Sequence, residues 1–192
     1  RDRHERALEI EKLRVEINSM LSGALKLQEQ EFTVLPEAWK KLDEAFGLSS
    51  WFLSPIQQYP DVTRYNSAQL EELLASSELA ESQKDEIRNS EDRLKTYTNI
   101  IFWHRRHKVL SAVSGLQDYV ARHGIFFPLD LKSDFVKIIG SLTESVTLIT
   151  IAHECKDQRR SDAWKKIDTE ISPLYKTIEG KIQERLQSHA HK

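Results

Sequence analysis

The stretch NIIFWHRRHKVLS, Asn99 to Ser111, sets His104 and His107 around Arg105 and Arg106, with a tryptophan in front. Two chemistries suit these residue types. Imidazoles three apart on a helix share a face and can hold one metal ion, and paired guanidiniums can take a phosphate. A zinc site needs at least one further ligand. His123, His153, Glu154 and Cys155 are the candidates, but none stands at a motif spacing, and neither HExxH nor Glu-x-x-His occurs. No metal and no cofactor are therefore expected. On a helix Ile100, Trp103, His107 and Leu110 form one stripe, which makes His107 a histidine at the edge of the core with a hydrogen-bonded ring. Arg105, Arg106 and Lys108 follow an acidic segment, Asn66 to Leu94, and read as charges that support a helix rather than as a phosphate site.

Two weaker constellations lie towards the carboxyl end. In IAHECKD, His153, Glu154 and Cys155 are adjacent, so on a helix they point in different directions and make no thiol–imidazole pair. Arg185 and His191 are spaced as in the arginine–histidine signature of HEPN-type ribonucleases, which they resemble. Leu186 replaces the polar residue common there, and the spacing reads as chance. A different kind of candidate is SSWFLSPIQQYP. It carries more apolar surface than a loop needs, and Trp51, Phe52 and Tyr59 are its expected partner-binding residues, with a lid over the bundle end as the other reading.

Composition limits what can position these groups. The chain has 192 residues, 39% hydrophobic and 30% charged, with 6 glycines and 5 prolines. That is too apolar for disorder and too poor in turn residues for a β fold, so the expected class is all-α in a single domain. A net charge of −2 gives no basic field, and no nucleic acid is expected as a partner. One cysteine permits no internal disulfide and suits a reducing compartment. The longest strongly apolar run, Val146 to Ala152, is far below the roughly 20 residues of a membrane helix. The opening RDRHERALEIEKLR has no initiator methionine, which raises the expectation of a longer parent protein.

Periodicity predicts about six helices. The first, near residues 3–32, bears the seam Ile10, Leu13, Ile17, Met20, Ala24 and Leu27, expected to pack on an antiparallel neighbour of the same chain, with a homodimer as the alternative. Pro36 is expected to start a second helix with Leu35, Trp39, Leu42 and Phe46 buried. Asn66 and Gln69 can form a capping box. A long helix is expected over residues 82–123, about 60 Å against a compact diameter near 40 Å, so the bundle should be elongated unless it kinks at Gly115. Pro128 opens a helix with the stripe Leu131, Phe135, Ile138, Leu142, Val146 and Ile149. In the last helix Pro173 predicts a kink or break. Residues 1–32 would form a stalk and 33–192 a bundle.

The runs EFTVLPEAWKKLDEAFG (Glu31–Gly47), SPIQQYPDV and IIFWHRRH resemble elements of a group of uncharacterised bacterial proteins. That resemblance implies one amino-terminal membrane helix followed by a cytoplasmic helical domain, tethered at the inner face of a bacterial membrane by a segment upstream of Arg1. Arg1, Arg3 and Arg6 would then be its basic flank, although Asp2 and Glu5 nearly cancel them. It transfers no functional residues. The expected function is a non-catalytic interaction or scaffold module with a protein partner. The alternative is an all-α enzyme or nucleic-acid processing factor using His104, Arg105, Arg106 and His107.

Overall fold

A computed structural model describes residues 2–56, 59–155 and 159–190, apart from the side chains at 2–8, 159–160 and 189–190. Arg1 and His191 fall outside it, as do the side chains of Arg3 and Arg6. The described residues form seven α-helices and no strand: α1 (Asp2–Leu53), α2 (Ser67–Ser76), α3 (Glu81–Asn89), α4 (Arg93–His123), α5 (Leu129–Cys155), α6 (Arg159–Lys166) and α7 (Ser172–Ala190). The protein is all-α, as its composition requires.

The first departure from expectation is at Pro36, which lies inside α1 and not at the start of a new helix. Proline leaves the Phe32 carbonyl without its partner and disfavours helical backbone at Leu35, a cost of about 3 kcal/mol. Burial on both sides of it offsets that cost: Val34, Leu35 and Ala38 are all buried, and the Tyr119 hydroxyl donates to the Val34 carbonyl at 3.3 Å. At 1.5 Å per residue the 52 residues of α1 span about 78 Å. The molecule is therefore elongated, and α1 rather than the expected rod sets its length.

That rod is interrupted. Residues 82–123 divide into α3 and α4 at Ser90–Asp92, where local hydrogen bonds compete with the helix. The Ser90 amide turns back to the Ile87 carbonyl, the Asp92 carboxylate accepts from the Lys95 amide at 3.1 Å, and the Ser90 and Thr96 hydroxyls are 2.7 Å apart. Gly115 lies inside α4 without breaking it. The expected capping box does form, with Gln69 Oε1 accepting from the Asn66 amide at 3.0 Å and Asn66 Oδ1 from the Gln69 amide at 2.9 Å. At Pro173 the backbone widens into a π-turn, Ile167–Ile171, between α6 and α7. The Ser172 amide donates to the Ile167 carbonyl five residues back, so the chain passes the proline without ending the helical path.

Two clusters make the core. The larger joins the second half of α1 to α4, α5, α6 and α7, and Leu131, Phe135, Ile138, Leu142, Val146 and Ile149 of α5 are all buried in it as expected. The smaller holds Val62, Leu70, Leu74, Leu79 and Ile87 against Tyr97, Ile100 and Ile101 at the start of α4. Phe52 meets Phe102 (5.2 Å) while Tyr119 reaches Val34, so α1 and α4 run antiparallel. By length and composition α5 is apolar enough to cross a membrane, with a mean hydropathy of 1.5 over an 18-residue window that the short run Val146–Ala152 does not reveal. Half of that window is buried inside the bundle, as in a core helix.

The expected seam is the largest correction. None of its residues is buried: every described side chain from Glu9 to Leu27 is exposed. The cover begins at Glu31 and Val34. Arg185 of α7 grips Glu31 with two hydrogen bonds of 2.8 and 2.9 Å, and Glu31 is only 3% exposed.

Replacing Leu142 by alanine removes a side chain from the closed core and is expected to cost about 3 kcal/mol by urea denaturation. Asp92→Ala, which removes only a cap, should cost about 1 kcal/mol. Tyr175 packs between Trp39 and Phe46, its hydroxyl donating to Asp43 at 2.7 Å. Burial, then the hydrogen bond to Asp43, raises its pKa well above the usual value. The folded state thus holds this proton more tightly than the unfolded chain. The resulting stability is complete below about pH 10 and is lost as pH rises beyond it. Tyr175→Phe is expected to flatten the alkaline fall of the melting temperature.

Candidate functional site

The sequence pointed to two sites, an aromatic one at Trp51, Phe52 and Tyr59 and a polar one at residues 104–107. The structure joins parts of both. Trp51 and Phe52 are not in a loop; they form the last turn of α1. Phe52 is buried against Phe102, whereas Trp51 is 52% exposed. Tyr59 lies just beyond, in the segment that leads to Val62. Between them stands Arg105 of α4, its guanidinium carbon 4.0 Å from the Trp51 ring centre and 4.9 Å from that of Tyr59. A planar cation between two aromatic faces is held by their quadrupoles and covers their apolar surface. The arrangement ties the segment after α1 to α4. The buried Tyr97 hydroxyl lies within reach of the Arg105 charge, and its pKa is raised chiefly by burial.

The other members of FWHRRH leave α4 in different directions. Arg106 turns towards α5, where its Nε donates to the Thr150 hydroxyl at 2.9 Å beside the Trp103 ring. His104 approaches Glu78 at 3.8 Å, and Lys108 pairs with the same carboxylate. Lys108, by hydrogen bond and then by charge, holds the Glu78 carboxyl below its usual range. His107 is exposed, a correction to the core-edge position expected for it, and borders a shallow groove with Lys41, Glu44 and Leu48. The apolar stripe of α4 rotates past it because Phe102 and Val109, rather than Trp103 and Leu110, take the buried positions. The four residues 104–107 thus meet Glu78, the Trp51–Tyr59 pair, α5 and solvent. They do not converge on one cleft.

His153 joins this region from α5. Its ring stacks on Phe102 at 3.6 Å, and Nε2 lies 3.1 Å from the Asn99 side-chain oxygen. Neither Glu154 nor Cys155 is buried, in keeping with a helix end. Arg185, the arginine of the HEPN-like spacing, is occupied by Glu31. Among the described residues no group of three histidine, cysteine or acidic side chains is arranged to hold a metal ion.

What sequence reasoning missed is how much apolar surface α1 leaves bare. Ile10, Leu13, Ile17, Met20 and Leu27 are 46–67% exposed, and Val15, Leu21 and Leu25 are exposed with them. Residues 2–27 extend about 39 Å beyond the bundle. Glu31, Val34 and Ala38 continue the spacing of three and four set by Ile10 to Leu27, so the bare and covered parts are one stripe of one helix. The signal was present in the seam itself; which part of it the chain covers was not.

The described residues thus form an α-helical bundle with a projecting amphipathic helix and a stacked arginine, and residues 104–107 do not share one cleft. Comparison with protein-family models, with curated proteins and with solved structures gives no match.

Arg105→Ala is expected to lower stability by about 1 kcal/mol, read from the urea midpoint. Arg105→Lys should recover only part of that loss, because a lysine ammonium cannot stack by a planar face. Full recovery with lysine would show that charge alone matters there.

Proposed function

We propose that this protein is a non-catalytic helical interaction module whose docking element is the projecting half of α1. One observation carries the reading: the stripe that α4, α5 and α7 cover beyond Glu31 continues uncovered from Leu27 to Ile10. A folded chain gains about 25 cal/mol for each square ångström of apolar surface it removes from water, and patches this long mark contact sites. The occupant that fits is another amphipathic helix laid along the stripe, prolonging the layer that the bundle already places on α1. The resemblance adds a membrane anchor upstream of Arg1, with the bundle held at the inner face of a bacterial membrane by the stalk. The alternative function through residues 104–107 is not put forward, because those side chains diverge.

A photo-crosslinking amino acid at Met20, in the protein expressed from its complete gene, is expected to give an adduct with another polypeptide. The same group at Ser19, on the polar side of α1, should give none. Absence of any Met20 adduct, in a protein whose helix content is unchanged, overturns the docking role. Fractionation of the same cells tests the anchor: release by detergent but not by carbonate supports it, and recovery in the soluble fraction removes it.

A further inference from the structure

We infer that the helix covering the bare stripe is the same stripe of a second copy of this chain, laid antiparallel; this rests on the docking role proposed for α1. Direction follows from what the bundle occupies. Past Leu27 the stripe continues through Glu31, Val34 and Ala38, all buried by the chain's own helices. A parallel partner would send its own α1 into that volume. An antiparallel partner ends its seam where the cover begins. Its first turns then reach the base of the bundle, where Phe32 and, on the α4–α5 connection that touches α1, Ile125 are exposed.

Volume and charge select one register. With the two-fold axis between Asn18 and Ser19, Ile10 meets the partner's Leu27, Leu13 meets the partner's Ala24, and Ile17 meets the partner's Met20. Small Ala24 thus faces a leucine, whereas parallel pairing would set it against another alanine and leave a thin layer. On the flanks Glu16 faces the partner's Gly23 and Arg14 the partner's Leu21, so no like charges oppose each other. Sliding by one heptad towards the amino termini would bring Glu16 against the partner's Glu16 and Arg14 against the partner's Arg14, both repulsive, and sliding the other way would bring the partner's Ile10 level with the covered Val34. The seam runs about 27 Å, a short contact near the small end of specific interfaces, and we expect it to be weak. In tethered copies such a pair lies along the membrane, since its amino termini are at opposite ends.

Sedimentation velocity of the intact chain across about 1 to 200 μM is expected to show a monomer passing to a dimer. Ile17→Asp should remain monomeric throughout while its circular dichroism and its melting curve at low concentration match the wild type, because Ile17 is exposed on the projecting part of α1. Spin labels at Glu29→Cys, in a Cys155→Ser background, should lie more than about 30 Å apart across the dimer, given 21 residues of axial offset at 1.5 Å each. A monomer at 200 μM, a dimer unaffected by Ile17→Asp, or a label separation under about 20 Å overturns the inference. A Met20 photo-adduct whose mass is that of a different protein also overturns the second copy, yet leaves the docking role of α1 standing.

Discussion

The structure depends on a single apolar stripe that runs most of the length of α1. Where α4, α5 and α7 lie on it, side chains such as Leu35, Leu42 and Leu53 leave water completely, and the helix continues through Pro36 despite the lost hydrogen bond. Packing on both sides of a defect outweighs the defect, since each buried leucine contributes a free energy comparable to the whole cost of the proline. Where nothing lies on it, the stripe is an exposed apolar face. One helix thus serves as the spine of the core and as a surface, and the change happens within a single turn at Leu27–Glu31.

The charged residues mark that boundary and brace the rest. Glu31 is buried at the edge of the cover, and α7 supplies Arg185 to match it; an unpaired carboxylate at this depth would be costly, so the pair fixes where α7 must end against α1. Further up α7, Lys181 joins Asp130 and Asp134 of α5. On α4, three consecutive cations or imidazoles are assigned to three different neighbours. An arginine between two aromatic rings, another on a threonine of α5, and a histidine beside Glu78 are packing solutions for long polar side chains at the rim of a core, not parts of one reactive centre.

Much of this was legible locally. The helical class follows from composition, the buried face of α5 from its spacing, the Asn66–Gln69 box from two residue types three apart, and the irregularity before Pro173 from proline itself. Each depends on interactions within about one turn of chain. Errors came where local signals compete. Pro36 signals a helix start, and only the burial of Val34, Leu35 and Ala38 cancels that signal. Ser90 to Asp92 signal a cap, and there the local preference prevails over a helical period that runs on past it. His107 fell on the apolar stripe by counting, but which of two neighbouring stripes turns inward depends on the partner helix.

Taken by itself, the sequence determined that the chain is helical, where its apolar stripes lie and which residues cap them, because these depend on side chains a few positions apart on one helix. Tertiary structure alone decided which stripe is covered. Arg185 is far along the chain from Glu31, and Arg105 from Trp51, so no periodicity records their meeting. The same spacing from Ile10 onward describes the bare seam and the buried spine equally well. The packing of α4 and α7 on α1 from Glu31 onward separates the two, and it leaves an apolar helix face in water.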